Sequence, residues 1–192
     1  MTHILKEIEQ RKAKRALATK AIPEEVLLRL AEAAHTAPSS LNSQPWRMIT
    51  VKDPDALAKL KETLTPGNYW AKKAPAITAF VTNPAWGLTL GDVTYAPFEL
   101  GMAAMAYQIQ AVAEGLFVHP IAGYNAKEAK IALGIREEDT LQTLIVLGYP
   151  GDEKELNEKH LESENSPRSR INLDEVACFD HWDERLVPKP KK

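Results

Sequence analysis

Two groups of residues in this 192-residue chain have the types and spacing for chemistry. One is the run Pro38-Ser39-Ser40-Leu41-Asn42-Ser43-Gln44-Pro45-Trp46. Its prolines fix φ and withhold backbone donors, while Ser, Asn and Gln supply short hydrogen-bonding arms. A rigid loop of this kind suits a planar ligand with polar edges. A helix end followed by a turn uses the same residue types. The other group is basic: Arg11-Lys12-Ala13-Lys14-Arg15 near the start and Ser166-Pro167-Arg168-Ser169-Arg170 near the end. The planar fork of Arg matches phosphate oxygens. A solvated basic face and a surface turn have the same composition. His119, beside Pro120, is a candidate proton donor or a wall residue.

The elements that must position these groups follow from periodicity and punctuation. Leu27, Leu30, Ala31 and Ala34 recur at helical spacing after Pro23, with Glu24 and Glu25 at the positive end of the dipole. The stretch after Trp46 reads as a strand over 46–52. Asp53-Pro54 caps a helix striped by Leu57, Leu60 and Leu64, and Pro66-Gly67-Asn68 is a turn. Strands are expected near 46–52, 75–82, about 116–119 and 140–149. The connection 83–92 is short, with Trp86 at a pocket mouth. Residues 97–114 form the longest helix. Met102, Met105, Ala106, Ile109, Val112 and Ala113 make it apolar around most of its circumference, which predicts a central, buried helix. Asn125 and Glu128 form a capping box for a helix that stops at Gly134. The basic cluster 11–15 is expected to end a short helix, and the acidic stretch 152–164 to be a solvated surface. The expected fold is α+β, a mixed, mainly antiparallel sheet with helices on both faces. It forms a single domain over 1–186 with a disordered tail at 187–192.

Composition narrows the classes. The net charge is −2, from 24 basic and 26 acidic residues, with no nucleic-acid footprint. No apolar run reaches the roughly 18 residues of a membrane span. The N-terminus lacks the apolar core of a signal peptide. Cys178 is the single cysteine, which excludes an intrachain disulfide, fits a reducing cytoplasm and reads as structural. No Gly-x-Gly-x-x-Gly segment exists to hold a dinucleotide.

The pattern Pro-Ser-Ser-x-Asn-x-Gln-Pro-Trp after an Ala-rich helix resembles the flavin loop of the nitroreductase family, FMN-dependent NAD(P)H oxidoreductases. Three further segments match in order, so the resemblance spans about Arg11 to Arg170. It implies an intertwined homodimer with the long helix at the interface and FMN in a cleft between subunits. Arg11, Arg15, Arg168 and Arg170 would hold the phosphate, with Lys12 beside them. Ala13 stands where the family carries a serine, leaving its backbone amide as a contact. Pro38, Ser39, Ser40 and Asn42 would meet the ring from the partner subunit. Asn68 would meet the pyrimidine edge. Pro120, Ile121, Ala122 and Gly123 resemble the family's Pro-x-Glu-Gly, which runs along the reactive edge, with Ala122 in place of Glu. The family chemistry is carried by the flavin and needs no catalytic side chain. The implied reaction is a ping-pong transfer of hydride from NADH or NADPH to a small-molecule acceptor such as a nitroaromatic or quinone. A flavin enzyme dedicated to one physiological substrate and a non-catalytic flavin-storage protein share these residues. With the connection 83–92 short, the substrate side of the flavin is expected either to be open or to be covered by another part of the protein.

Overall fold

In the computed structural model, which describes residues 4–188, four strands form one sheet in the order β1-β2-β6-β5. They are β1 (Arg47–Val51), β2 (Ala76–Thr82), β5 (Phe117–Ile121) and β6 (Thr140–Gly148). Each of the three pairings is antiparallel, with Ile49 opposite Ala79, Ala79 opposite Leu144, and Val118 opposite Leu147. β2 is buried along its whole length, because both of its faces are covered. Ala76 and Phe80 point into a core shared with α2 (Glu24–His35) and α4 (Ala96–Ala113). Ile77, Ala79 and Val81 point to the other face, against α3 (Pro54–Glu62), α5 (Ala126–Leu133) and Trp70. The strand period of two therefore assigns alternate side chains to two helical layers, and the fold is α+β.

The punctuation read from sequence is realised. Asp53 accepts from the amides of Asp55 and Ala56, Asn125 accepts from Glu128 N, and Gly134 closes α5 in the left-handed region. In α2, Val26, Leu27, Leu30 and Ala34 are buried. The last strand pair differs slightly from expectation: β5 runs to Ile121 and includes Pro120. Proline is tolerated there because β5 is an edge strand.

Four expectations are corrected. The basic cluster does not lie in a helix: α1 (Lys6–Gln10) ends before it, and residues 12–16 run beyond the helix. The connection 83–92 folds into a turn at Pro84–Trp86 and a hairpin of β3 (Thr89–Leu90) and β4 (Val93–Thr94). Trp86 lies under the guanidinium of Arg47 at 4.9 Å. In α4 the buried set is Ala96, Glu99, Leu100, Ala103, Ala104, Tyr107, Gln108 and Ala111. Phe98, Met102, Met105 and Ile109 fall at helical spacing on the opposite face, with Phe98 64% exposed. The helix is thus apolar all round yet covered on one side only. The acidic stretch is not wholly solvated, since Glu164, in α6 (Glu158–Asn165), is buried. Of the expected tail, residues 189–192 lie outside the described residues, while Val187 and Pro188 are exposed.

Candidate functional site

Arg11 and Arg15 come together with Arg168 and Arg170 around a cavity of roughly 260 Å³, which Lys12, Ala13 and Ser166 also line. No carboxylate lines it. Burial, and after it the neighbouring Arg168 and Arg170 charges, push the Arg11 pKa below its ordinary value. The guanidinium groups of Arg11 and Arg15 make no hydrogen bond or ion pair with another group among the described residues. Arg168 is placed differently. Its Nη2 donates to Glu9 O at 2.8 Å and also to Arg11 O, capping the free carbonyls at the end of α1. Arg170 donates to its neighbour Ser169 O. Like charges gathered in a cavity with no carboxylate in its lining are a candidate anion site, and phosphate fits the donor set.

Two backbone supports shape this cradle. Lys12 Nζ donates to the carbonyls of Glu164 and Ser166, and Lys14 Nζ donates to Glu164 O at 2.9 Å. The Glu164 carboxylate accepts from Arg15 N at 3.0 Å and Ala16 N at 3.2 Å. Its place in an acidic, polar run hid it from sequence reasoning. The only available signal was its position directly before the basic turn.

Two further groups of contacts involve candidate residues. His119, on β5, approaches Lys14 O with Nδ1 at 3.1 Å and stacks on Trp70 at 4.6 Å. Burial, chiefly, pushes its pKa down to about 4; Arg15, Arg11 and His160 add to the drop and the Lys14 carbonyl opposes it. A neutral ring fixed in this way is a wall, and that is where the structure leaves the proton-donor candidate. Beyond Trp70, Asn68 Nδ2 donates to Gly123 O at 2.8 Å. Thr65 sends both its amide and its hydroxyl to the same carbonyl. Asn68 and the end of Pro120-Ile121-Ala122-Gly123, distant in sequence, are thereby joined.

The loop 38–46 stands apart. It enters β1 at one edge of the sheet, whereas β5 and the cradle lie at the opposite edge. Three strand spacings of about 4.8 Å each separate those edges by roughly 14 Å. Within the loop, Leu41, Asn42 and Gln44 all have positive φ, at 54°, 56° and 49°. Ser39 Oγ accepts from Gln44 N, and the buried Glu99 of α4 accepts from Ser40 N at 2.6 Å. Leu41 is 91% exposed. Pro38, Ser39, Ser40 and Asn42 are thus held in a preset shape that touches neither the cradle nor the Asn68–Gly123 wall by any hydrogen bond or ring contact among the described residues.

Sequence and structure comparisons bear on this arrangement. A model of the Nitroreductase family matches residues 8–149. A protein of Archaeoglobus fulgidus, provisionally named NADH dehydrogenase/NAD(P)H nitroreductase, is 29% identical over 162 residues, 82% of this chain and 91% of its own. The NADH dehydrogenase of Thermus thermophilus is 25% identical over 163 residues, 69% of this chain and 79% of its own. Among solved structures, an FMN-containing oxidoreductase superposes with a TM-score of 0.86 at 26% identity, covering 95% of this chain and 94% of that one. A nitroreductase family protein of Clostridium difficile shares the fold at 16% identity, with a TM-score of 0.76 over 94% of this chain and all of that one. With its loop, its wall and its sheet inside the matched segment, the chain belongs to the nitroreductase family of flavin-using oxidoreductases.

Proposed function

We propose that this protein is a homodimeric, FMN-dependent oxidoreductase that passes hydride from NADH or NADPH to a small-molecule acceptor of the nitroaromatic or quinone class. The observation that carries the reading is the cavity lined by Arg11, Arg15, Arg168 and Arg170, with no carboxylate in its lining. Arg11, Lys12, Arg15, Arg168 and Arg170 would hold the phosphate, with the Ala13 amide facing it. Asn68 and the Pro120–Gly123 backbone would line one edge of the ring. Pro38, Ser39, Ser40 and Asn42 would reach it from the second subunit. Bound there, the flavin supplies the hydride relay between the nicotinamide and the acceptor. The side chains bind, orient and exclude water. None of them is asked to move a proton, which agrees with the depressed His119 pKa.

The dimer rests on two further observations. A site whose two parts sit on opposite sheet edges is completed by a two-fold partner. The open stripe Phe98, Met102, Met105 and Ile109, with Leu173, Phe179 and Trp182 exposed in the segment after Arg170, supplies apolar area for it. One domain over 1–186 and a cytoplasmic setting complete the reading; the single Cys178 suits reducing conditions.

The test is direct. Purified protein should be yellow, and denaturation should release FMN and no FAD. Anaerobic NADH or NADPH should bleach the flavin band, and a nitroaromatic or quinone should restore it. A colourless protein that FMN cannot reconstitute overturns the reading. A flavin that neither nucleotide reduces points to storage.

A further inference from the structure

The two basic segments are far apart in sequence; Arg168 joins them through Glu9 O and Arg11 O, Lys12 through Ser166 O, and Glu164 through its buried carboxylate. Glu164 lies four residues before Arg168 and is 1% exposed. Both of its carboxylate oxygens accept from Arg15 N, at 3.0 and 3.1 Å, and one also accepts from Ala16 N. The nearest cation, Lys14 Nζ, is 3.8 Å from Oε1. Its main-chain carbonyl takes Lys12 and Lys14. A buried carboxylate held mainly by backbone amides has little freedom, because those donors have no other partner at hand. The carboxylate therefore locks the backbone of Arg15 to the helix end from which Arg168 and Arg170 continue.

We propose that Glu164 is a positioning residue for the anion cradle. It sets the spacing between the Arg11–Arg15 pair and the Arg168–Arg170 pair, and through that spacing the preference for a phosphorylated flavin. The inference rests on the reading of the cavity as the FMN phosphate site. It is separable from a charge effect, because the two have opposite signs. A negative group beside the cradle repels a phosphate dianion, so as a charge alone its removal would tighten FMN binding. As a positioning group its removal loosens binding. In Glu164→Gln one oxygen becomes an NH2 facing the amide donors, and two donors then oppose each other. In Glu164→Asp the charge remains but is withdrawn by one methylene.

The experiment titrates FMN and riboflavin into flavin-stripped full-length protein and compares their dissociation constants, with thermal melting as a control for folding. Both Glu164→Gln and Glu164→Asp should lower the preference for FMN over riboflavin by about tenfold, the loss of one charge-assisted hydrogen bond's alignment. Riboflavin affinity should hold. A merely structural role would weaken both flavins together and leave the preference unchanged, which overturns the proposal. Tighter FMN binding by Glu164→Gln overturns it as well. If Glu164→Gln does not fold, Glu164→Asp decides on the same criterion. Arg11→Ala separates the two levels. If it lowers the preference while the Glu164 variants do not, only the positioning role falls. If it too leaves the preference unchanged, the phosphate reading of the cavity falls with it.

Discussion

Gly123 has no side chain, and the space where a Cβ would sit holds Asn68 Nδ2 at 2.6 Å and Thr65 Oγ1 at 2.7 Å. Contacts that short force the neighbours to move, and the neighbour that moves is a proposed ring contact. Gly123→Ala is therefore expected to weaken FMN and riboflavin alike, by about tenfold for one displaced hydrogen bond, unlike an arginine variant, which discriminates between them. Titration of both flavins checks this. His119 gives a pH signature. Its folded pKa, about 4, lies below the ordinary 6.5, so the native state favours the neutral ring. The associated stability is complete above about pH 6.5 and is lost as pH falls through 6.5 toward 4. Its size is on the order of 3 kcal/mol, since each pKa unit is worth about 1.4 kcal/mol. Lys14 O and Trp70 contact the ring, and the charges of Arg15, Arg11 and His160 act on it. Urea melts at pH 7 and pH 4.5 should show a stability difference that narrows in His119→Asn.

The loop before β1 is an element held in an unfavourable backbone shape. Residues other than glycine at positive φ cost on the order of 1–3 kcal/mol each, less for Asn than for Leu or Gln. Leu41, Asn42 and Gln44 adopt it together. The first turn of α4 supplies the restraint, since the Glu99 carboxylate takes Ser40 N and approaches Ser43 Oγ at 3.5 Å. Glu99→Ala leaves the Ser40 amide without its acceptor, a loss of about 1–3 kcal/mol. Glu99→Gln keeps an oxygen for that amide and should retain most of the stability. Limited proteolysis within residues 38–46 should be faster in the Ala variant and near that of the native chain in the Gln variant. Equal cleavage in all three would show that the loop holds its shape without α4. The pairing of α2 with α4 is a plainer matter: Leu30 is fully buried between them, and Leu30→Ala should cost about 2–5 kcal/mol in denaturant melts.

At the scale of the whole molecule, the sheet separates the two parts of the proposed site, and this makes the proposed dimer testable by complementation. A variant lacking Arg11 has a faulty cradle, and one with Ser40→Ala and Asn42→Ala has a faulty loop. Either homodimer should bind FMN poorly at both sites. In a mixed dimer one site combines both faults and the other combines neither. Random pairing after co-expression should then restore FMN to about one site in four, the consequence of two-fold symmetry. No restoration would mean that each chain builds its site alone. Removal of residues 171–192, which include exposed Leu173, Phe179 and Trp182, should shift sedimentation toward monomer.

Residue type and spacing were sufficient for the loop 38–46, the caps at Asp53 and Asn125, the stop at Gly134 and the four main strands. These are local decisions, set by φ restriction, short side-chain hydrogen bonds and apolar period. The same information marked Arg11, Arg15, Arg168 and Arg170 as basic and no more; only the family resemblance joined them, and the fold brings them to one cavity. Burial is where sequence failed. Glu164 stood among solvated acids, and Met102, Met105 and Ile109, expected to be buried in α4, lie on that helix's open face, while Val112 packs against the core. A side chain's environment depends on which elements cover it, and that is decided by long-range packing. Glu99 and Glu164 reach backbone amides 59 and about 149 residues away. No window of local sequence contains both partners of such a contact, so only the tertiary structure determines it.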